Sequence, residues 1–193
     1  MVVSGDGKTQ VIFKNIKFSW IPRDPYSLLD MPLRGSFEPE CTVIVTKLVK
    51  EGDIVFDIGA NFGWYSCILG QLVGQVGRVH IFEPTNALEE LKNNLILNGF
   101  MERCTLNQVA LGEKEGNETL FIPQKLGTAF ASLREHSYNN ISKMHKVSVP
   151  IKVLDDYVIE NRIEKIGFIK IDVEGAEYLV LKGAENVLKN ILP

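Results

Sequence analysis

Long hydrophobic runs are missing from this sequence, and so is an excess of basic charge. No apolar stretch approaches the roughly 20 residues that a membrane span requires. The N-terminal "MVVSGDGKTQ" lacks the basic start and apolar run of a signal peptide. The formal net charge is -3, whereas nucleic-acid-binding domains normally carry a basic face. We therefore expect a soluble globular protein with no membrane span and no nucleic-acid partner.

Cysteine is also scarce. Cys41, Cys67 and Cys104 are widely spaced, and no CxxC pair or Cys/His cluster accompanies them. This spacing argues against both a zinc site and a disulfide framework. We expect reduced, mostly buried thiols in a cytoplasmic protein, because disulfides are rare in that compartment.

What the sequence does contain is a change of pattern at residue 53. A chain of 193 residues has one domain by default. Residues 1–52 are predicted to form an N-terminal extension: a strand or hairpin arm at 10–20, a proline-containing loop at 21–37, and then a helix in "SFEPECTVIVTKLVKEGD". Residues 53–193 are predicted to form the domain that carries the function.

Within that domain, buried strands alternate with helices. The strands are predicted in "IVFDIG", "RVHIFEP", "CTLNQVAL" and "KIGFIKID", and the helices in "WYSCILGQLVG", "NALEELKNNLILNG" and "GAEYLVLKGAENVLKN". This alternation is typical of the α/β class, with a doubly wound, Rossmann-like, mainly parallel sheet. Two more strands, in "GNETLFIP" and "KVSVPIKV", flank residues 124–146, which we predict to be a loop over the site.

The turn after the first of these strands carries an acid, in "IVFDIGANFGWYS". A dinucleotide fingerprint needs G-x-G-x-x-G, but Asn61 occupies the middle position between Gly59 and Gly63. Asp57 at the strand end would repel a pyrophosphate and would suit a cation. S-adenosylmethionine offers an ammonium and a sulfonium and has no phosphate, so we favour it. A nucleotide site, or a turn that uses glycine only for its geometry, stays open.

Glu83 ends the second strand, 26 residues after Asp57. Ligands of doubly wound sheets bind at the carboxyl ends of the strands, and an acid at this distance can accept hydrogen bonds from both ribose hydroxyls. That contact fits NAD and S-adenosylmethionine alike. A solvated acid before a turn is the alternative.

Together these residues resemble the class I S-adenosylmethionine-dependent methyltransferases. "VFDIGANFGWYS", "ALGEKEG" and "FIKIDVEGAEYLVLKGA" are similar to motifs of the FkbM family, over roughly residues 53–185. The resemblance implies methyl transfer to a hydroxyl oxygen, often on a sugar, a glycan or a polyketide. It also implies the residues that bind the donor: Asp57, Gly59, Asn61 and Gly63 in the turn, Glu83 at the ribose, and Asn107, Gln108 and Val109 beside the adenine.

The segment "IKIDVEG" is predicted to hold the reaction centre. Lys170, Asp172 and Glu174 alternate, so within a strand they would share one face. A carboxylate there could take the proton of an acceptor hydroxyl, and Lys170 could pair with the acids and keep them ionised. A divalent metal held by Asp172 and Glu174 is one alternative. Attraction of acids to the next helix N-terminus is another, and we favour it for Glu177.

The 124–146 loop adds weaker candidates. Gly127, Thr128 and Ser132 are plausible substrate contacts, whereas His136 and His145 are expected to be solvated rather than to act as bases. The acceptor itself is expected to be a small molecule or a glycan. A non-catalytic adenosine-binding module and an NAD-dependent oxidoreductase are the competing functions.

The sequence also departs from the family pattern. A class I methyltransferase usually has seven strands, and here only four and the helix after the fourth are predicted. We therefore expect a C-terminally truncated domain whose fourth strand is an exposed edge, through which two copies could pair. Residues 9–20, or the strands at 118–123 and 147–153, could instead cover part of that edge.

Overall fold

The computed structural model describes residues 2–3, 9–20, 36–124, 131–133 and 143–192. In chain order its strands are β1 (Val2–Val3), β2 (Thr9–Phe13), β3 (Ile16–Trp20), β4 (Ile54–Ile58), β5 (Arg78–Phe82), β6 (Cys104–Asn107), β7 (Ala110–Leu111), β8 (Gly116–Pro123), β9 (Met144–Lys152) and β10 (Phe168–Ile171). The α-helices are α1 (Pro39–Leu48), α2 (Trp64–Leu72), α3 (Ala87–Asn98), α4 (Leu154–Glu160) and α5 (Glu177–Lys182). A 3-10 turn at Met101–Arg103 and a π-helical turn at Val187–Ile191 complete the elements.

A four-stranded parallel sheet with the order β10-β4-β5-β6 forms the centre of the fold. The chain runs outward from β4 through β5 to β6 and later returns to the other side of β4 as β10. The direction of winding therefore reverses between β4 and β10, and this is where doubly wound sheets bind ligands. The predicted doubly wound, mainly parallel α/β fold is confirmed.

Helices cover both faces of this sheet, which explains why its strands are apolar without alternation. Val55 packs on one face into a core shared with α2 and α3, where Leu69 and Leu91 are fully buried. Phe56 packs on the other face into a second core, with Leu154 of α4. Residues 55 to 58 are therefore all buried.

The N-terminal elements share the first of these cores. The predicted strand or hairpin arm is a hairpin, with β2 antiparallel to β3. Ile16 and Phe18 of β3 are buried, and the Phe18 ring stacks on Trp64 of α2 at 4.5 Å between centroids. The predicted helix is present as α1, whereas most of the predicted loop, at residues 21–35, lies outside the described residues.

One predicted strand and one predicted helix are each divided in two. The strand expected over 104–111 ends at Asn107, because the chain then leaves the central sheet and β7 pairs with β9 in a second sheet, of order β7-β9-β8. The helix expected over residues 175–190 breaks at Gly183, where a Cβ atom would lie 2.1 Å from the carbonyl oxygen of Gly112. The helix is interrupted at the point where the backbones of Gly183 and Gly112 come into close contact.

β10 lies at one end of the central sheet. Within the described residues, neither the β2–β3 hairpin nor strands β8 and β9 pair with it, so the cover that the sequence suggested is not provided by strand pairing. Association of two copies through this edge stays a prediction. In the part of the chain that the structure describes, no helix is both long and apolar enough to cross a bilayer.

Candidate functional site

A cavity of about 380 Å³ opens at the carboxyl ends of β4, β5 and β10. Its walls also include the start of α1, strand β7 and two residues of the 131–133 segment. Seven of the residues predicted from sequence line it: Gly59, Asn61, Glu83, Val109, Lys170, Asp172 and Glu174. The structure therefore brings the predicted donor turn and the predicted reaction centre to one cavity.

The glycines of the first turn allow two close approaches of backbone. Gly59 has φ +75°, and a Cβ atom there would lie 1.8 Å from the carbonyl oxygen of Asp172. Gly63 has φ +90°, and its Cβ atom would lie 2.8 Å from Cγ of Leu91 in α3. Asn61 also adopts a left-handed conformation, with φ 48°, which asparagine tolerates better than most residues. The turn is thus shaped by its packing against Asp172, which follows β10, and against Leu91 of α3.

Asp57 lies beneath the turn. The sequence suggested that Asp57 lines the cavity, but its side chain does not. Its side chain is fully buried. Oδ2 accepts a hydrogen bond of 2.6 Å from the Ser66 hydroxyl, while Oδ1 has no hydrogen bond within the described part of the chain and faces Lys170 Nζ at 3.5 Å. Lys170 therefore balances the negative charge of Asp57 inside the protein. Lys170 lines the cavity and Asp57 does not, so Asp57 can act on a ligand only by way of Lys170.

Lys170 connects the two halves of the site. Its ammonium donates a 2.7 Å hydrogen bond to the carbonyl oxygen of Gly59 and lies 3.7 Å from Asp172 Oδ2. It also lies 5.3 Å from the centroid of the Tyr65 ring. Of the two acids predicted to pair with Lys170, Asp172 does so in the structure, and the same ammonium is bonded to the predicted donor turn.

Asp172 and Glu174 follow the strand, and the prediction that both belong to it is wrong. β10 ends at Ile171, and Glu174 has φ 53° in a tight turn. Oε1 of Glu177 accepts hydrogen bonds from the backbone N–H groups of Val173 at 3.1 Å and Gly175 at 3.2 Å. Glu177 does lie at the start of α5, as expected, and its carboxylate holds the turn. The turn brings both acids to the cavity.

The side chain of Asp172 is 49% exposed, so a ligand in the cavity could reach it. No group of three or more histidine, cysteine, aspartate or glutamate side chains is arranged to hold a metal ion within the residues described.

Glu83 is 5% exposed, so the alternative of a solvated acid is wrong. Its Oε2 accepts a 2.8 Å hydrogen bond from the backbone N–H of Asn61. Its Oε1 accepts from the backbone N–H of Thr85 at 2.9 Å and from the Thr85 hydroxyl at 2.5 Å. Burial raises the pKa of Glu83, and these hydrogen bonds oppose the rise. A carboxylate has about four lone-pair positions, so one is left for a ligand hydroxyl.

The three residues predicted beside the adenine, at the end of β6, lie in different surroundings. Asn107 points away from the cavity, since its Nδ2 donates to the carbonyl oxygen of Ile81 at 3.0 Å and to the hydroxyl of Tyr157 at 3.2 Å. Gln108 is exposed. Val109 lines the cavity and begins an apolar wall that continues with Leu111 and other aliphatic side chains: Ala110, Leu120, Ala131 and Leu133.

Sequence reasoning missed several cavity residues and could not place others. Glu38 and Tyr65 face each other in the wall, with a 2.7 Å hydrogen bond from the Tyr65 hydroxyl to Oε2 of Glu38. Tyr65 is inside the recognised motif, but no sequence signal marks Glu38. Ser132 donates a 2.7 Å hydrogen bond to the carbonyl oxygen of Glu174. His145 is exposed, as expected, and Gly127, Thr128 and His136 lie outside the described residues.

The charges of the cavity favour a cation. Among the described residues that line it, four carry carboxylates, and Lys170 carries the one ammonium: Glu38, Glu83, Asp172 and Glu174 are the acids. Clefts lined by one sign of charge concentrate ligands of the opposite sign. A phosphate-rich ligand would be repelled, whereas a sulfonium with an ammonium group would be attracted.

The family model described as "Methyltransferase FkbM domain" matches residues 57–193. Relatives include the 31-O-demethyl-FK506 methyltransferase FkbM of Streptomyces tacrolimicus, which is 26% identical over 79% of this chain and 67% of its own length. The hexuronic acid methyltransferase AglP of Haloferax volcanii is 26% identical over 82% of this chain and 60% of its own. The 2-O-methyltransferase NoeI of Sinorhizobium fredii is 29% identical over 75% and 63%. The chain thus spans less than two thirds of the length of several relatives.

Solved structures with similar folds include methyltransferase FkbM from Methylobacillus flagellatus, at 22% identity and a TM-score of 0.47, covering 71% of this chain and 30% of that one. A SAM-dependent O-methyltransferase from Thermotoga maritima matches at 25% identity and a TM-score of 0.36, covering 52% and 40%.

Proposed function

Because the chain belongs to the methyltransferase FkbM domain family, we propose that it transfers a methyl group from S-adenosylmethionine to a hydroxyl oxygen of a small-molecule or glycan acceptor. The observation that carries the proposal is the cavity itself. It lies at the switch between β4 and β10, and its lining of four carboxylates and one ammonium suits a cationic donor.

The residues present fit the donor at both ends of the cavity. Gly59 lines the cavity directly beside Asp172, because glycine has no Cβ atom to collide with the Asp172 carbonyl oxygen. Glu83, held by Asn61 and Thr85, has a remaining acceptor position for a ribose hydroxyl. Val109 and the apolar wall beside it suit the adenine ring, because flat aromatic groups are bound by apolar contact. When bound, S-adenosylmethionine supplies an electrophilic methyl group on a positively charged sulfur.

The chain's own contribution to the chemistry comes from the turn after β10. An alcohol is a poor nucleophile at neutral pH, and a carboxylate within hydrogen-bond reach can accept its proton as the new carbon–oxygen bond forms. We assign this role to Asp172, with Glu174 beside it orienting the acceptor. Lys170 holds Asp172 and the donor turn together, so it fixes their relative position.

Relatives support a sugar hydroxyl as the acceptor. Two of them are a hexuronic acid methyltransferase and a 2-O-methyltransferase. We extend this acceptor class to the present chain as part of the proposal. A cytoplasmic location is also part of it, and the three cysteines, which are all free, support that location.

Binding measurements separate this function from its competitors. Calorimetry should show binding of S-adenosylmethionine and S-adenosylhomocysteine and none of NADH, because the carboxylates around the turn repel a pyrophosphate. Binding of NADH without either sulfur ligand would instead support an oxidoreductase. Binding of the sulfur ligands, with no methyl transfer to any acceptor in a panel of sugars, glycans and cell extract, would support a non-catalytic module.

The proposed base can be tested in the same assay with labelled donor. Asp172→Ala should lower turnover by about 10²- to 10⁴-fold, the range that general-base catalysis contributes, and weaken binding of S-adenosylhomocysteine far less, because only part of the balance of the Lys170 charge is lost. Glu185→Ala, in an exposed ion pair with Lys189, is the matched control and should keep full turnover. An Asp172→Ala variant with normal turnover would remove the residue from the mechanism.

A further inference from the structure

Glu38 lines the cavity although it precedes the region that matches the family. The match begins at residue 57, and Glu38 belongs to the segment before α1. Its carboxylate nevertheless faces the same cavity as Gly59 and Lys170. The segment before the family domain therefore contributes an acid to the site.

The position of Glu38 is fixed by contacts on both sides. Its backbone adopts φ 43° and ψ 64°, a left-handed conformation that few non-glycine residues hold without support. Its carbonyl oxygen accepts from the N–H of Thr42 at 2.9 Å. The Thr42 hydroxyl in turn donates to the carbonyl oxygen of Phe37 at 3.0 Å and accepts from the indole N–H of Trp64 at 3.1 Å. The start of α1 is thus attached to α2 beside the donor turn.

Tyr65 fixes the side chain of Glu38 in the same place. Its hydroxyl donates a 2.7 Å hydrogen bond to Oε2. Burial, together with the neighbouring Glu38 carboxylate, raises the pKa of Tyr65 above its usual value, so the hydroxyl keeps the proton that it donates. The two oxygens of the Glu38 carboxylate have about four lone-pair positions, so Glu38 can also accept a hydrogen bond from a ligand.

Other acceptors near the turn are engaged, wholly or in part, by groups of the protein. Asp57 is fully buried beneath the turn and does not line the cavity. The carbonyl oxygen of Gly59 accepts from Lys170. The oxygens of Glu83 already accept from Asn61 and from both the backbone and the hydroxyl of Thr85. Beside Tyr65, Glu38 is a carboxylate of the cavity lining that does not pair with Lys170, whereas Asp172 does.

We propose that Glu38, held by Tyr65, binds the α-ammonium group of the methyl donor. The inference rests on the proposed function, and it assigns the amino-acid end of S-adenosylmethionine to the end of the cavity where α1 begins. The ammonium of Lys170 does not oppose this, because Asp57 at 3.5 Å and Asp172 at 3.7 Å balance its charge. With Glu38 included, the end of the cavity near Lys170 keeps a net negative charge that suits a cation.

The test compares two probes that differ in one part of the donor. S-adenosylhomocysteine carries the α-ammonium group, whereas 5′-methylthioadenosine keeps the adenosine and sulfur and lacks the amino-acid end. Glu38→Gln should raise the Kd of S-adenosylhomocysteine by about 10- to 100-fold, as expected for loss of a charged hydrogen bond. The same variant should leave the Kd of 5′-methylthioadenosine unchanged. Tyr65→Phe should raise the Kd of S-adenosylhomocysteine less, by about three- to tenfold, because the carboxylate stays.

Glu40→Gln is the matched control, since Glu40 is an exposed acid in the first turn of the same helix. It should bind both probes as the wild type does. The inference is overturned if Glu38→Gln binds S-adenosylhomocysteine normally, or if it loses affinity for both probes equally, since the residue would then only shape the cavity. Wild-type protein that binds neither probe would instead overturn the proposed function, and the inference with it.

Discussion

Gly59 lies where the two turns of the cavity touch. Its backbone has φ +75°, and any side chain there would enter the space of the Asp172 carbonyl oxygen. Glycine is required here for two separate reasons, conformation and close approach. The position of Asp172 therefore depends on a residue in the turn that follows a different strand, β4.

Gly59→Ala should destabilise the protein by more than about 3 kcal/mol and abolish binding of S-adenosylhomocysteine. The strain of alanine at positive φ accounts for about 1–2 kcal/mol, and displacement of the Asp172 backbone adds the rest. Gly99→Ala is the control, because Gly99 has φ +69° but a Cβ atom there meets nothing within 4 Å. It should cost only the conformational term, as measured by urea unfolding. Equal losses in the two variants would contradict the role of close approach.

His80 gives the stability a pH dependence. Burial, with a smaller contribution from the charge of Arg78, lowers the pKa of His80 to about 4 from its ordinary 6.5. Nδ1 of the neutral ring lies 2.8 Å from the hydroxyl of Tyr157, which itself accepts from Asn107. Between pH 4 and 6.5 the unfolded chain therefore binds a proton at His80 that the folded protein does not.

Because the unfolded state binds more protons in that window, the free energy of unfolding should fall as the pH is lowered from about 6.5 to about 4, by up to about 3 kcal/mol from this group. Urea unfolding at pH 7 and pH 4.5 measures the effect. His80→Gln should show a smaller loss between the two pH values, whereas the exposed control His145→Gln should behave as the wild type. Parallel pH profiles for all three proteins would exclude His80 as the cause.

At the scale of single residues, the sequence predicted which residues belong to the cavity better than it predicted where their side chains lie. Glu83, Lys170, Asp172 and Glu174 all line the cavity as expected. Asp57 does not, since whether a buried acid faces a ligand or a lysine depends on a lysine more than a hundred residues away. Glu38 had no signal at all, because only the packing of α1 on α2 brings it to the site.

The turn from Asp172 to Gly175 is the element on which the proposed chemistry depends. Its conformation is strained at Glu174, with φ 53°, and is held by one oxygen of Glu177 through two backbone N–H groups. A residue that stabilises such a turn acts on catalysis through the groups that the turn carries. In the proposed mechanism, Glu177 is thus a positioning residue.

Glu177→Ala should lower kcat by about tenfold or more and change the Kd of S-adenosylhomocysteine little, because misplacement of a catalytic group affects the chemical step most. Glu177→Gln should recover much of the activity, since its amide oxygen can still accept from Val173 and Gly175. Steady-state kinetics with each variant provide the measurement. If the two variants lose activity equally, the negative charge of Glu177, and not its hydrogen bonds to the turn, is what matters.

Most elements were predictable because their patterns are local. The apolar runs of β4, β5 and β10, and the helices between them, follow from apolar periodicity and glycine stops. The two errors have a tertiary cause: β6 ends where Asn107 bonds to Ile81 and Tyr157, and the last helix breaks where Gly183 meets Gly112. Contacts with distant residues are not visible in a local pattern.

On the scale of the whole molecule, the N-terminal hairpin is joined to the site by asparagine side chains of α3. Asn94 is fully buried, accepts from the N–H of Ser19 at 2.8 Å and donates to the carbonyl oxygen of Phe62 at 2.9 Å. Asn98 accepts from the N–H of Lys17 at 2.8 Å and donates to the carbonyl oxygen of the same residue at 2.7 Å. The side chain of Asn94 thus links the edge of the hairpin to the turn that contains Phe62.

Asn94→Ala should lower the free energy of unfolding by about 2–4 kcal/mol, since it leaves a buried donor and a buried acceptor without partners. It should also weaken binding of S-adenosylhomocysteine, because Phe62 belongs to the donor turn. Asn98→Ala, at a more exposed position, should cost less and leave binding unchanged. Urea unfolding and calorimetry measure both effects, and a loss of stability in Asn94→Ala with unchanged affinity would separate the hairpin from the site.

The pairing of β10 with β4 has a consequence for the order in which the protein forms. The Lys170–Gly59 hydrogen bond joins residues 111 positions apart, and closing so long a loop slows folding. Local units such as the hairpin and α2 can form early, whereas the cavity exists only after β10 has docked beside β4. Under the proposed function, a nascent chain would bind the donor only after β10 has emerged and docked beside β4, so the appearance of ligand binding during synthesis would report completion of the central sheet.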